Sequence, residues 1–387
     1  MASSPSSGHV IPTEMNVSTA QEPRPSTGPR RRPYYPELDG LRGMSVMLVV
    51  IGHLAQFVLR SGAWGGSLAA MGVMIFFILS GFLITDLLCH EHAETGTVRL
   101  GAFYVRRIRR LMPAFLVFVL VLAILIQLGW VTDVPWSSMA ASLVHLRNVF
   151  GRGDTNAHLW SLSMEEQFYA VWPLLFLLAG PRKALWVSLV GVLGVSLVRG
   201  GMIALNVLDY NRGIYYLRPW FRFDSLLLGC LLALAWNGGE RSRRLVQKLV
   251  AWCSPVVCLV ALTLWSLHAE MTAMKPVFLL VQGLLAAALV AGCALGGTHA
   301  WLRPRSLRFL GRISYSLYLW QQPFLTTRTL DWGPLREAPL CVMMAFAAAL
   351  ASYYWVEKPF RVAPPEKSID ERALAPNGDV RVGYGKL

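Results

Sequence analysis

Residues 38–59 read LDGLRGMSVMLVVIGHLAQFVL, an apolar helix-forming run that carries two ionisable side chains. Arg42 lies near its start, and His53 follows eleven positions later. At about 100° per residue, eleven steps return to within about 20° of the same helix face. At about 1.5 Å per residue, the two side chains are about 16 Å apart along the axis. If the helix crosses a bilayer, this spacing predicts Arg42 at one interface and His53 near the middle.

A histidine at that depth suggests chemistry. An ionisable side chain inside a membrane is costly, and it usually faces the bundle interior or a water-filled cavity. There, a neutral imidazole can take a proton from a substrate hydroxyl. The alternative is that His53 only hydrogen-bonds a neighbouring helix, because polar residues in membrane helices also hold helices together.

The composition indicates an integral membrane protein. The 387 residues are 55% hydrophobic and only 15% charged, with a mean hydropathy of +0.46, which is too apolar for an ordinary soluble protein. Apolar runs approach the ~20 residues that cross a bilayer. The sequence therefore predicts an all-α bundle of about ten transmembrane helices. Their expected ranges are 43–61, 67–88, 111–131, 158–179, 184–200, 219–237, 250–267, 276–296, 309–327 and 338–357.

Basic residues predict the orientation. The net charge is +14, and the Lys and Arg residues cluster between the apolar runs, which is typical of membrane loops and not of a nucleic-acid-binding protein. An N-terminus in the cytoplasm places about 26 of the 36 Lys and Arg residues on that side, against about ten in the opposite orientation. An even number of spans then puts both termini in the cytoplasm.

The two ends differ from the rest of the chain. Residues 1–36 are rich in Ser, Pro and Thr and predict a disordered cytoplasmic tail, with no cleavable signal peptide after Met1. Residues 363–387 predict a second disordered tail, which leaves 37–362 as one membrane domain. The six cysteines are scattered and form no close C-x-x-C pair, so we expect free thiols, no disulfide framework and no metal site.

Two motifs combine charge with apolar sequence. HLWSLSMEEQFYAVWP, residues 158–173, places Glu165 and Tyr169 on one helix face. A carboxylate there can orient an imidazole or pair with an arginine, although both glutamates of the motif could also be solvated at the interface. FYVRRIRRLMP, residues 103–113, is a basic patch suited to holding phosphates; its other interpretation is topology and lipid contact.

Four further motifs carry polar groups. Ser80 and Gly81 form a small-residue notch, for which close helix packing is the favoured role. Arg222 and Asp224 begin the sixth predicted span as a candidate internal ion pair. GRISYSLYLWQQP, residues 311–323, and VEKPFR, residues 356–361, are interpreted first as interface anchors.

Together these motifs resemble a known family. LDGLRGMSVMLVVIGH, FFILSGFLIT, FYVRRIRRLMP, LWSLSMEEQFY, RFDSLLLG, ISYSLYLW and VEKPF follow the order found in the acyltransferase 3 family of integral-membrane O-acyltransferases. The resemblance extends over residues 36–362. It implies transfer of an acyl group, usually from acyl-CoA, to a hydroxyl of a sugar or other acceptor. The family's Arg–His pair corresponds to Arg42 and His53, and its Trp-to-Glu motif corresponds to Trp160 and Glu165.

The resemblance assigns roles to particular residues. His53 and Glu165 are the expected catalytic pair, and acyl-CoA is a co-substrate with no bound cofactor. Acyl-CoA is expected to bind to five arginines, namely Arg42, Arg106, Arg107, Arg109 and Arg110. Supporting residues are expected at Trp160, Ser161, Tyr169, Arg222, Asp224, Tyr315 and Tyr318. One position departs from the family pattern, because many members have Trp-His-x-Pro where this sequence has Trp320, Gln321, Gln322 and Pro323.

The acceptor is the most open question. Family members that modify cell-surface polymers can carry an extra extracytoplasmic hydrolase-like domain, which we do not expect in this protein. The sequence thus looks more like the branch acting on small molecules, similar to macrolide 3-O-acyltransferases of antibiotic biosynthesis that transfer acetyl or propionyl groups. The alternatives are acylation of a cell-surface polysaccharide or glycolipid and, from another class, a membrane transporter. The expected partners are acyl-CoA, a hydroxylated acceptor and the lipid bilayer, without nucleic acid.

Overall fold

The computed structural model describes Met1 and residues 35–60, 63–207, 218–252, 254–268, 275–296, 299–326 and 337–361. Within these ranges, all regular secondary structure is helical. Apart from Met1, every described residue belongs to the compact unit Tyr34–Leu387. The predicted disordered tails lie almost wholly outside the described residues, as does Cys253. The α-helices are α1 (Pro36–His53), α2 (Ala63–Thr95), α3 (Leu100–Gln127), α4 (Trp136–Leu143), α5 (Arg147–Phe150), α6 (Leu159–Ala204), α7 (Phe223–Asn237), α8 (Glu240–Trp252), α9 (Pro255–Leu267), α10 (Lys275–Leu295), α11 (Arg305–Thr326), α12 (Leu340–Ala351) and α13 (Lys358–Arg361).

The helices confirm a multi-pass membrane protein. Each of the ten predicted apolar segments overlaps a helix. By length and composition, six helices of the described chain can cross a membrane, or seven if α8 and α9, which are bent by 71°, form one span. The count of ten and the cytoplasmic position of both ends stay predictions. The fourth and fifth predicted segments form one long helix, α6, with a kink at Gly180, where φ is 70°.

The first helix begins earlier than expected. Pro36 occupies its first turn with Glu37 and Asp39, a pattern that favours a helix N-terminus. With the π-helical turn Leu54–Val58, the helical run spans 23 residues, and its midpoint falls at Met47. His53 therefore lies about 9 Å beyond the midpoint, not at it, and Arg42 lies about 9 Å inside the helix start. The depth of both residues in a bilayer stays a prediction.

Glycines bring the central helices into backbone contact. A Cβ atom on Gly311 of α11 would overlap the carbonyl oxygen of Asp39 in α1, and one on Gly43 would overlap that of Leu307. Small residues allow such close packing in membrane bundles. Gly81 of α2 meets α7 in the same way, at the carbonyl of Leu226, which confirms the packing role predicted for it. The close contact fixes the register of α1, which carries Arg42 and His53, against α11, which carries Tyr315 and Tyr318.

Candidate functional site

A cavity lies between four helices, at the place where the sequence motifs converge. It has a volume of about 60 Å³ accessible to the centres of water molecules, which is room for several waters. Helices α1, α2, α6 and α11 all contribute to its wall. The lining residues are Arg42, Val73, Phe76, Phe77, Ser80, Ser161, Leu162, Glu165, Ser314, Tyr315 and Tyr318. The structure therefore brings together five of the sequence-predicted site residues, which come from three separate motifs.

Glu165 supplies the acidic group of the cavity. Ser80 Oγ donates a hydrogen bond to its Oε1 at 3.3 Å, and Tyr169 Oη donates to its Oε2 at 3.5 Å. Its charged neighbours include Arg107 and Arg42. Of the two roles considered for this carboxylate, the geometry favours balancing arginine charge. No hydrogen bond or ion pair joins Glu165 to His53 among the described residues.

Arg42 supplies a basic group with spare hydrogen-bonding capacity. It lines the cavity two turns inside α1, and among the described residues its buried Nε has no hydrogen-bond partner. A guanidinium offers five N–H donors in a planar fork that suits carboxylates and phosphates. An unsatisfied buried donor costs about 1–3 kcal/mol, so its position at a cavity wall points to an anionic or polar ligand.

Two tyrosines of α11 line the cavity rather than anchoring the helix at a membrane interface. Tyr318 is 7% exposed, and its hydroxyl shares a 2.5 Å hydrogen bond with Ser161 Oγ. Tyr315 Oη donates to the carbonyl of Leu111 at 3.0 Å, which ties α11 to α3. Both tyrosines lie on one face, as their spacing predicts, but that face is internal. The first interpretation of this motif as an interface anchor is therefore wrong.

Glu357, in the VEKPFR motif, is also internal. Its side chain is fully buried, pairs with Arg361 and accepts a hydrogen bond from Ser316 Oγ at 2.7 Å. The interpretation of this motif as an interface anchor thus fails for its glutamate. A carboxylate can be buried here because both an arginine and a hydroxyl satisfy it.

The basic motif of α3 divides into two parts. Arg107 pairs with Glu166 at 2.9 Å, and its guanidinium lies 3.1 Å from the centre of the Tyr169 ring. This arginine is therefore held as part of the wall behind Glu165. The other three, Arg106, Arg109 and Arg110, are exposed and available to a ligand or to lipid headgroups.

His53 lies one turn beyond the cavity. It is half-buried, its Nδ1 is 2.8 Å from Oε1 of Gln321, and it is followed directly by the π-helical turn. Such turns are frequent at functional sites. His53 is not among the cavity-lining residues. Gln321 follows the cavity-lining Tyr318 by three residues of α11, so the ring lies about 5 Å beyond the end of the cavity.

The remaining supporting residues, Trp160, Arg222 and Asp224, are not among the residues that line the cavity. Asp224 pairs with Arg199 at 2.7 Å, a partner that the sequence motif did not name, and accepts a hydrogen bond from Ser196 at 3.2 Å. Arg222 is buried, with its guanidinium 5.9 Å from the centre of the Trp160 ring. Trp160 in turn packs edge-on against Phe77, with 5.8 Å between ring centres. Both charged residues are internal, as predicted, but Arg199 completes the pair with Asp224.

Sequence reasoning missed several residues of this region. The sequence favours a packing role for Ser80, yet Ser80 donates a hydrogen bond to Glu165. The i, i+4 spacing of Phe76 and Ser80 is the signal that places both on the helix face lining the cavity. Gln321 was noted only as a departure from a family motif. Its contact with His53 joins residues 268 positions apart, and no local pattern predicts it.

Comparisons with known proteins agree with the motif analysis. The family model described as an acyltransferase domain matches residues 35–356. The peptidoglycan O-acetyltransferase OatA of Listeria monocytogenes is 31% identical over 366 residues, which cover 85% of this chain and 56% of that protein. YrhL of Bacillus subtilis, provisionally named for the same activity, is 31% identical over 371 residues, 85% of this chain and 55% of YrhL. SACOL0978 of Staphylococcus aureus, provisionally named an O-acetyltransferase, is 28% identical over 85% of this chain and 57% of its own length.

The chain spans little more than half the length of these curated relatives. No solved structure matches it. The names of the two relatives at 31% identity concern peptidoglycan.

Proposed function

The chain belongs to the acyltransferase 3 family, whose acyltransferase domain model it matches over residues 35–356, and from this premise we propose that it is a membrane O-acyltransferase. The proposed reaction moves an acyl group of the acetyl class from acyl-CoA to a hydroxyl of a cell-surface polysaccharide. The observation that carries the proposal is the buried cavity, which begins at Arg42 and Glu165 and ends one turn from His53.

The proposed chemistry needs one base and one activated donor. Nε2 of His53 takes the proton of the acceptor hydroxyl, and the oxygen attacks the thioester carbonyl carbon. The carbon–oxygen bond forms, the carbon–sulfur bond breaks, and the thiolate leaves with a proton returned from the imidazolium. A placed base contributes about 10²–10⁴ in rate. The thioester is already activated, so the proposal includes no resident cofactor.

The donor would bind at the arginine end. Arg42 lines the cavity and its Nε has no partner within the described ranges, and Arg106, Arg109 and Arg110 are exposed on α3. Arginine forks suit the phosphates of CoA, and the acyl thioester would extend from there along the cavity. Glu165 and Arg107 would keep the local charge balanced while the anionic donor enters and leaves.

The acceptor would approach from the His53 end. His53 lies about 8 Å from the end of its helical run, whereas Arg42 lies near the start. Donor and acceptor would therefore meet from opposite ends of α1, which suits an acceptor outside the cell. The names of the relatives support a peptidoglycan-type hydroxyl as the acceptor. Neither the structure nor these relatives favour a macrolide hydroxyl.

A direct assay tests the reaction and separates it from transport. Purified chain in detergent is mixed with acetyl-CoA and either muropeptides, a macrolide or no acceptor. Free CoA thiol is followed by absorbance, and acceptor mass is followed by mass spectrometry. The proposal expects thiol release that depends on muropeptides, with a gain of one acetyl unit on them. Acetylation of the macrolide alone would refute the acceptor, and no thiol release with any acceptor would favour a transporter.

A further inference from the structure

A chain of side-chain amides connects His53 to the segment 128–158, which lies between α3 and α6. Gln322 Nε2 donates to the backbone carbonyl of Asp154 at 2.9 Å. Gln321 Nε2 donates to Oε1 of Gln322 at 3.2 Å and lies 3.5 Å from the carbonyl of Tyr318. Oε1 of Gln321 then faces Nδ1 of His53 at 2.8 Å. Both glutamines are buried, at 0% and 2% exposure, so water does not compete for these groups.

The chain has only one consistent direction. A backbone carbonyl can only accept, so the amide nitrogen of Gln322 must face Asp154 and its oxygen must face Gln321. The nitrogen of Gln321 must face that oxygen, which turns its own oxygen toward His53. An amide oxygen also only accepts, so Nδ1 of His53 must carry the hydrogen. In the neutral ring, Nε2 is then left with the lone pair that a base requires.

The loop end of the chain is itself fixed. Asp133 Oδ2 accepts hydrogen bonds from the backbone N–H groups of Asp154 and Thr155, at 2.7 and 2.9 Å. Arg147 donates to the carbonyl of Gly153 at 2.6 Å. Burial lowers the pKa of Arg147 to about 10, so its side chain remains a cation at neutral pH. These contacts hold the Asp154 carbonyl in place as the anchor of the amide chain.

We infer that Gln321 and Gln322 are positioning residues, which hold His53 as the Nδ1–H tautomer through the anchored carbonyl of Asp154. The inference rests on the proposed function of His53 as general base. It gives a physical role to the position at which this chain departs from the family motif. A neutral amide fixes the tautomer as a carboxylate would, but it adds no charge to the membrane interior.

The test uses kcat and its pH profile in four variants of the full chain, each checked for folding by thermal melting. Gln321→Leu should lower kcat about 10- to 100-fold, the usual cost of losing a group that orients an imidazole, with the KM for acetyl-CoA within about twofold. Gln322→Leu should cost less, because Gln321 can still accept from His53. Gln282→Leu is the matched control. Gln282 is also buried, and its Nε2 donates a 2.9 Å hydrogen bond to Ser266 Oγ, outside the candidate site.

Gln321→Glu separates a positioning role from a packing role. A carboxylate accepts from Nδ1 as the amide does, so kcat at high pH should stay near that of the unmodified chain. It also stabilises the imidazolium, so the acid limb of the kcat profile should move to higher pH by about 1 unit. The titratable group placed within electrostatic reach of His53 in the described residues is His158, which is unchanged in every variant.

Three outcomes among the glutamine variants would overturn the inference. The first is an unchanged kcat in Gln321→Leu, and the second is an equal loss of kcat in Gln321→Leu and in the control Gln282→Leu. The third is a loss of kcat in Gln321→Glu as large as that in Gln321→Leu, with no shift in the acid limb of its pH profile. If Gln321→Leu does not fold, the acid limb of Gln321→Glu decides. Full activity in His53→Ala would refute the general base and this inference together. An inactive His53→Ala beside a fully active Gln321→Leu would refute the positioning role alone.

Discussion

Replacing His53 by alanine should lower turnover at least about 100-fold and leave the protein folded. The side chain is half-buried, and its contacts are one hydrogen bond to Gln321 and a ring contact with Phe57 at 5.8 Å between centres. An uncompensated hydrogen bond costs about 1–3 kcal/mol, and the ring contact adds about 1 kcal/mol. The expected loss of stability is therefore about 2–4 kcal/mol, within the 5–15 kcal/mol that is typical of a folded domain.

The catalytic loss should be larger and of a different kind. Loss of a general base lowers kcat by about 10²–10⁴, which is about 2.7–5.4 kcal/mol of activation free energy. The assay is release of CoA thiol by protein that elutes as a single species from a sizing column. His90→Ala is the matched control, because His90 is also half-buried and its Nδ1 bonds the carbonyl of Asp86 at 2.8 Å in α2. Retention of more than about one tenth of kcat by folded His53→Ala would refute the proposed base.

Three further predictions follow from the cavity and the helix contacts. Arg42→Gln should raise the KM for acyl-CoA about 10- to 100-fold, the worth of a charge-assisted hydrogen bond. The control Arg182→Gln, at an exposed arginine of α6 outside the cavity lining, should change the KM less than about threefold, and equal effects in steady-state kinetics would contradict the donor site. Glu165→Gln keeps the side-chain size but removes the charge facing two arginines, so kcat should fall at least about tenfold, and an unchanged kcat would exclude charge balance as its role. Gly311→Leu should prevent recovery of monodisperse protein, because the new side chain would hold α11 away from α1. The control Gly101→Leu should purify normally, because the space at its Cβ is open, and the reverse result would contradict the helix packing.

The sequence predicted local geometry well. Helical spacing placed Tyr315 and Tyr318 on one face, and it placed Arg42 and His53 on one helix, because both statements depend only on residues within a few turns. The small residue Gly81 was correctly assigned to close packing. The resemblance of several motifs in order was confirmed by the match to the acyltransferase domain.

Partners distant in the chain were not predictable. Arg199 pairs with Asp224 across 25 positions, and Arg107 pairs with Glu166 across 59. In each case a single sequence contains several arginines of equal chemistry, and only the packing of helices selects one. The start of α1 was also missed, because Glu37 and Asp39 lower the hydropathy of its first turns although they favour a helix N-terminus.

The polar groups along α1 differ in how the protein satisfies them, and that difference supports separate roles for Arg42 and His53. A general base must keep its proton on one ring nitrogen, and it therefore needs a hydrogen-bonding partner that orients the ring. Gln321 is such a partner for His53. A group that binds a ligand must instead keep donors free until the ligand arrives, and the Nε of Arg42 lacks a partner among the described residues while Arg42 faces the cavity. The Nε of Arg199 also lacks a partner, but Arg199 pairs with Asp224 and donates to the carbonyl of Phe221, whereas Arg42 has no hydrogen bond or ion pair within the described ranges. A guanidinium nitrogen left without a partner at a cavity wall lowers stability. An anion that binds there during turnover would satisfy this nitrogen.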